Sequence, residues 1–95
     1  MKIPRDGREF AKWSLSGGPE GGSYEVKFDY PDNTESEWMP VETVSQGLVR
    51  VLVRGPDGAD GEGAIELPLG NTSAVLRLTD SPEIILRPAG EIEVS

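Results

Sequence analysis

The sequence predicts an all-β protein built as a two-layer sandwich of about seven or eight short strands. Three observations lead there. Several runs alternate apolar and polar residues with period two, the pattern of a half-buried strand. Clusters of Gly, Pro, Asn and Asp separate these runs at roughly 8–12-residue intervals, and no stretch has a helical period. The chain has 95 residues and no cysteine, so it forms one domain without a disulfide. A domain of this size buries roughly 60–65% of the surface its unfolded chain exposes, enough for one modest core.

Taken in order, Met1–Gly7 reads as a flexible arm, with Pro4 and Asp6-Gly7 as breakers, and residues 8–95 as the sandwich domain. Arg8–Ser16 is the first strand, with Ala11, Trp13 and Leu15 on one face and Phe10, Lys12 and Ser14 on the other. Residues 16–23 (SGGPEGGS) are a loop. In Ser23–Tyr30, Tyr24, Val26, Phe28 and Tyr30 share the core face, and their aromatic rings should dominate that side. Pro31–Ser36 is a polar turn. Glu37–Pro40 reads as a short strand bearing Trp38, which is expected in the core beside Phe28. Val41–Gln46 settles no period.

Leu48–Arg54 places Val49, Val51 and Val53 on one side and mixes Leu48 and Leu52 with Arg50 and Arg54 on the other. Residues 55–63 (GPDGADGEG) form a long turn. Ala64–Leu69 is a short strand that Pro68 limits to an edge or an end. Gly70-Asn71-Thr72 turns into Ala74–Thr79, which alternates cleanly. Asp80-Ser81-Pro82 is a corner, Glu83–Arg87 resumes an extended run, Pro88-Ala89-Gly90 breaks it, and Glu91–Ser95 is the last strand. The length and a buried Trp near the third strand suit an immunoglobulin-like sandwich that lacks its disulfide.

The net charge of −8 argues against nucleic-acid binding, which depends on neutralising phosphates. The charge is uneven. Residues 1–12 are net +2, from Lys2, Arg5, Arg8 and Lys12 against Asp6 and Glu9, whereas residues 20–42 are net −6. A solvated acidic face and a frayed terminus account for this; the sharper reading is a basic arm that docks on an acidic neighbour. Lys2, Ile3, Pro4, Arg5 and Arg8 are therefore the candidate partner-binding residues. No apolar run approaches the roughly 18 residues of a membrane span, and the N-terminus lacks the apolar core of a signal peptide. A soluble protein made in the cytoplasm is expected.

No catalytic, cofactor or metal site is expected. The chain has no histidine, so the commonest general base and metal ligand are missing. Asp80-Ser81-Pro82 lacks the Gly of an aspartic-protease signature, and no phosphate-cradling glycine motif is present. Asp57, Asp60 and Glu62 share a glycine-rich loop, but their spacing departs from that of an EF-hand, and a solubilising hairpin loop accounts for them. Trp13 and Trp38 could stack on a sugar only if their rings share a face; core packing is the usual use of Trp.

The stretch LRLTDSPEIILRPAGEIEV, Leu76–Val94, resembles the ending of small proteins encoded among the virion structural genes of tailed phages that infect actinobacteria. The matching residues are Leu78, Thr79, Asp80, Pro82, Glu83, Arg87, Ala89, Gly90, Ile92 and Val94. Upstream, YEVKFDY, Glu37-Trp38 after an acidic turn, the LVRVLV run and a glycine-rich turn extend the resemblance over residues 22–95. The chain departs from the pattern at Pro88 and in its acidic 20–42 region. The resemblance implies an immunoglobulin-like β fold and a place in the virion. It implies no catalytic residues and does not by itself separate a decoration protein from a connector. The reading taken is a non-enzymatic capsid decoration or cementing protein that binds the major capsid protein or other virion subunits, with self-association on the particle as a further expectation. A head–tail connector or tail-associated component is the alternative it leaves open. A carbohydrate-binding module contacting the host surface is the other reading.

Overall fold

A computed structural model describes residues 1–14, 23–45, 47–61, 63–80 and 83–95, with residues 80 and 83 described for their backbone only. Among the described residues nine strands follow in order: β1 (Lys2–Ile3), β2 (Arg8–Ser14), β3 (Ser23–Asp29), β4 (Met39–Pro40), β5 (Glu42–Ser45), β6 (Leu48–Arg54), β7 (Ile65–Glu66), β8 (Gly70–Asp80) and β9 (Glu83–Val94). No helix occurs among the described residues.

The strands form two sheets. One has the order β1-β9-β8-β3-β4, and the other β2-β6-β5 with β7 beside β6. Pairing is antiparallel except for β1 with β9 and β6 with β7. A β9-β8-β3 layer facing a β2-β6-β5 layer is the immunoglobulin strand arrangement, G-F-C against B-E-D. The predicted sandwich is present.

The core lies between the layers. β3 and β8 contribute Val26, Phe28, Ala74 and Leu76, and the facing sheet contributes Ala11, Val51 and Val53. Period-two alternation explains the division. In β6 every second residue, Val49, Val51 and Val53, is buried, while the residues between them stay half-exposed. No disulfide joins the sheets. Apolar packing takes its place, with Phe28 the largest fully buried side chain.

Thr72 is the one buried polar residue among those described, and its hydroxyl has no hydrogen-bond partner among them. An unpaired buried hydroxyl costs roughly 1–3 kcal/mol. Thr72→Val keeps the β-branched shape and removes that group. The variant is expected to be more stable by about 1 kcal/mol in urea unfolding, and a loss of stability would show that the hydroxyl is in fact satisfied.

Four expectations are corrected. The first is the free arm. Ile3 is 1% exposed, and β1 runs parallel to β9 with Lys2 opposite Glu93 and Ile3 opposite Val94. The Glu93 amide donates to the Met1 carbonyl (2.8 Å), and the Arg5 amide donates to the Ser95 carbonyl (2.9 Å). The Asp57 amide donates to the Arg5 carbonyl (2.9 Å). Pro4 and Gly7 close a turn, with the Gly7 amide on the Pro4 carbonyl (2.9 Å), and do not loosen the chain. Gly55 is needed where this segment crosses the loop after β6, since a Cβ there would sit 2.3 Å from the Arg5 carbonyl oxygen.

The second correction concerns Pro88-Ala89-Gly90. β9 continues through it as a bulge: Val75 faces Pro88 and Ser73 faces Glu91, so Ala89 and Gly90 together oppose Ala74. Gly90 takes φ +79°, the left-handed conformation that suits glycine at a bulge. The third correction is Gly70-Asn71-Thr72, which opens β8 as strand. The fourth is Ala64–Leu69, which shortens to Ile65–Glu66, with Leu67 buried after it and Leu69 46% exposed. Leu15, the loop at 16–22 and the corner at 81–82 lie outside the described residues.

Candidate functional site: the outer face of the five-stranded sheet

The outward residues of β9, β8 and β3 line up in cross-strand rows. Leu86, Arg77 and Glu25 form one row, and Pro88, Val75 and Lys27 the next. Ile84 lies opposite Thr79, which lies opposite Ser23. Ile84 is 64% exposed and Leu86 58% exposed, so the β9 side of this face is apolar and open to solvent.

Trp38 closes the other side, and here the core expectation for it is corrected. Met39 pairs with Val26 and packs against the core. Period two then sends the preceding residue outward. Trp38 is half-buried, outside the core cluster, with the Arg77 guanidinium carbon 4.3 Å and the Lys27 ammonium 5.4 Å from its ring centroid. Both distances fit cation–π attraction.

Each cation is also held by a carboxylate. Arg77 donates twice to Glu25 Oε1, through Nη2 at 2.7 Å and Nε at 3.2 Å. Lys27 Nζ donates to Glu35 Oε2 at 2.9 Å. The hydrogen bond from Lys27 holds the Glu35 carboxyl below the usual carboxylate range, and the same bond raises Lys27. The result is a fixed, nearly neutral array of Trp, Arg and Lys beside an apolar stripe.

The opposite sheet carries a smaller cluster. The Arg50 guanidinium lies 3.9 Å from the Phe10 ring centroid and donates twice to Glu42, at 2.7 and 3.1 Å. These hydrogen bonds hold Glu42 below its ordinary range. The Thr34 hydroxyl, and then the Thr34 amide, lower Asp32 in the same way. A carboxylate with a depressed folded pKa stabilises the fold above its unfolded pKa, and the contribution disappears as pH falls through the folded value. Melting temperature is therefore expected to hold from neutral pH down to roughly 4.5 and to decline below it. Glu42→Gln should flatten part of that decline; an unchanged acid slope would show that the ion pair adds nothing.

The candidate residues from the N-terminal segment do not converge on one site. Lys2 is exposed beside Glu93 (3.5 Å), and Arg8 reaches toward the Ala59 carbonyl (3.4 Å). Pro4 and Arg5 are exposed on the turn, but Ile3 is inside the core and has no side-chain surface to offer a partner. Trp13 packs on the core and donates its indole N–H to the Ala89 carbonyl (2.9 Å). The two tryptophans therefore form no shared platform. Asp60 lies 3.8 Å from Arg54, and Glu62 falls outside the described residues. Among the described residues no acidic cluster has the makings of a metal site.

No family model, no curated protein and no solved structure matches this chain. The outer-face array was missed in the sequence because it unites β3, β8, β9 and residue 38, and only pairing register brings these together. One signal was present: the alternation of β3 and β8 places Glu25, Lys27 and Arg77 together on the face away from the core.

Proposed function

We propose that this protein is a non-enzymatic structural component of a tailed-phage virion. In this reading it is a capsid decoration or cementing protein that docks on the major capsid protein through the outer face of its five-stranded sheet. The resemblance of residues 22–95 supports the virion setting. The observation that carries the docking surface is Trp38 outside the core, held under Arg77 and Lys27 beside exposed Leu86 and Ile84. Trp and Arg dominate the energetics of protein interfaces, and here both are fixed before binding, so little side-chain entropy is lost on docking.

Co-sedimentation with capsids stripped of the protein tests the reading. Trp38→Ala is expected to weaken binding at least roughly tenfold, as an interface anchor does, while costing only about 1 kcal/mol of stability. Arg77→Ala should act in the same direction. Wild-type occupancy by both folded variants would remove this face from the interface. Binding confined to the portal vertex would favour the connector role, and retention on a glycan array would favour the carbohydrate reading.

A further inference from the structure

Among the described residues, strand β9 lies at the edge of its sheet for most of its length. β1 covers it only at Glu93 and Val94. Further back, the exposed edge is occupied by other means. The Met1 ammonium donates to the Glu91 carbonyl (3.1 Å), the Trp13 indole occupies the Ala89 carbonyl, and Pro88 has no amide hydrogen to offer. Proteins commonly blunt an edge in these ways. From Glu83, where β9 begins, to Arg87, no strand among the described residues pairs with that edge. This window includes Ile84 and Leu86, two of the most exposed large apolar side chains described.

We infer that the edge of β9 over residues 83–87 pairs antiparallel with the same edge of a second copy, about a two-fold axis at Ile85. The window fixes the register. It is bounded by the start of the strand and by Pro88, and its midpoint is Ile85. A symmetric pairing about that midpoint is the one that uses every residue of the window. It sets Ile84 against Leu86 of the other copy on the outer face and Ile85 against its own counterpart.

The second copy is identified by self-complementarity. In this register positions 83 and 87, a glutamate and an arginine, stand opposite each other in both halves of the pair. The window is thus locally neutral in a chain of net charge −8, so pairing there escapes the repulsion that the net charge sets between two copies on average. A five-residue edge is far below standard interface size, so the dimer is weak and reversible in solution. It also joins two five-stranded sheets into one continuous surface. The inference stands independently of the virion reading.

The chain has no cysteine, so single substitutions report position without background. Directly opposed residues of an antiparallel pair lie roughly 4.5–5.5 Å apart at Cα, within disulfide reach. Under mild oxidation Ile85→Cys is expected to form a covalent dimer at least roughly tenfold faster than Glu91→Cys, which lies outside the window. Leu86→Lys, an exposed substitution that leaves the core intact, should shift sedimentation equilibrium toward monomer while the circular dichroism spectrum stays unchanged. Equal cross-linking at positions 85 and 91, faster cross-linking at 86 than at 85, or a wild-type chain that stays monomeric at high concentration would each overturn the proposal.

Discussion

Deleting residues 1–7 is expected to destabilise the protein by roughly 3–5 kcal/mol. The main cause is Ile3, which is 1% exposed and stands opposite Val94 at the parallel β1–β9 pairing. Removing a fully buried isoleucine side chain costs about 2–5 kcal/mol by itself. The deletion also leaves the carbonyls of Ser95 and Glu91 without their donors. Domains of this size are stable by only about 5–15 kcal/mol, so the truncated chain would sit near its folding threshold. Gly55→Ala probes the same docking from the other side. Its Cβ would be driven into the Arg5 backbone, so the N-terminal segment or the loop after β6 must move. Urea unfolding followed by tryptophan fluorescence measures both. A truncated protein within about 0.5 kcal/mol of wild type would mean that the segment is a loose arm after all.

The second large effect is expected at Phe28. Its ring is fully buried between the sheets, and Phe28→Ala should cost about 3–5 kcal/mol. In a domain this small, each kcal/mol moves the melting temperature by roughly 4–8 °C, so the variant should melt well below wild type. Trp38→Ala is the matched comparison, with an expected loss of only about 1 kcal/mol. The two aromatics differ in burial because they fall on opposite faces of one sheet. If the order were reversed, with Trp38 costly and Phe28 cheap, the inward and outward faces of β3 and β4 would be misassigned.

That comparison also marks where sequence reading stops. Long alternating runs declare their buried face. In Leu48–Arg54 and in Ser23–Asp29 the predicted inward valines and Phe28 are the buried residues. A two-residue strand has no period to read. Trp38 and Met39 are adjacent and both apolar, and nothing local decides which turns inward. The pairing of Met39 with Val26 decides it. The same limit hid β1, because Ile3 lies in a two-residue strand that shows no period and its partner lies some ninety positions away. Proline and glycine misled in a related way. Pro4 with Gly7, and Pro88 with Gly90, are breakers in isolation. In the fold the first pair makes a tight turn between docked strands, and the second makes a bulge within a continuous one. The outer-face array shared this fate, since its residues come from four separate segments that only the sheet register joins.

The most direct test of the proposed virion role is a cryo-EM map of a phage particle that carries this chain, resolved well enough to orient a small β-sandwich. Under the proposed role, copies are expected all over the capsid shell, with Trp38, Arg77 and Leu86 buried against the major capsid protein and the β2-β6-β5 sheet turned to solvent. A shell without these sandwiches, or sandwiches seated through the β2-β6-β5 sheet with Trp38 facing water, would contradict it.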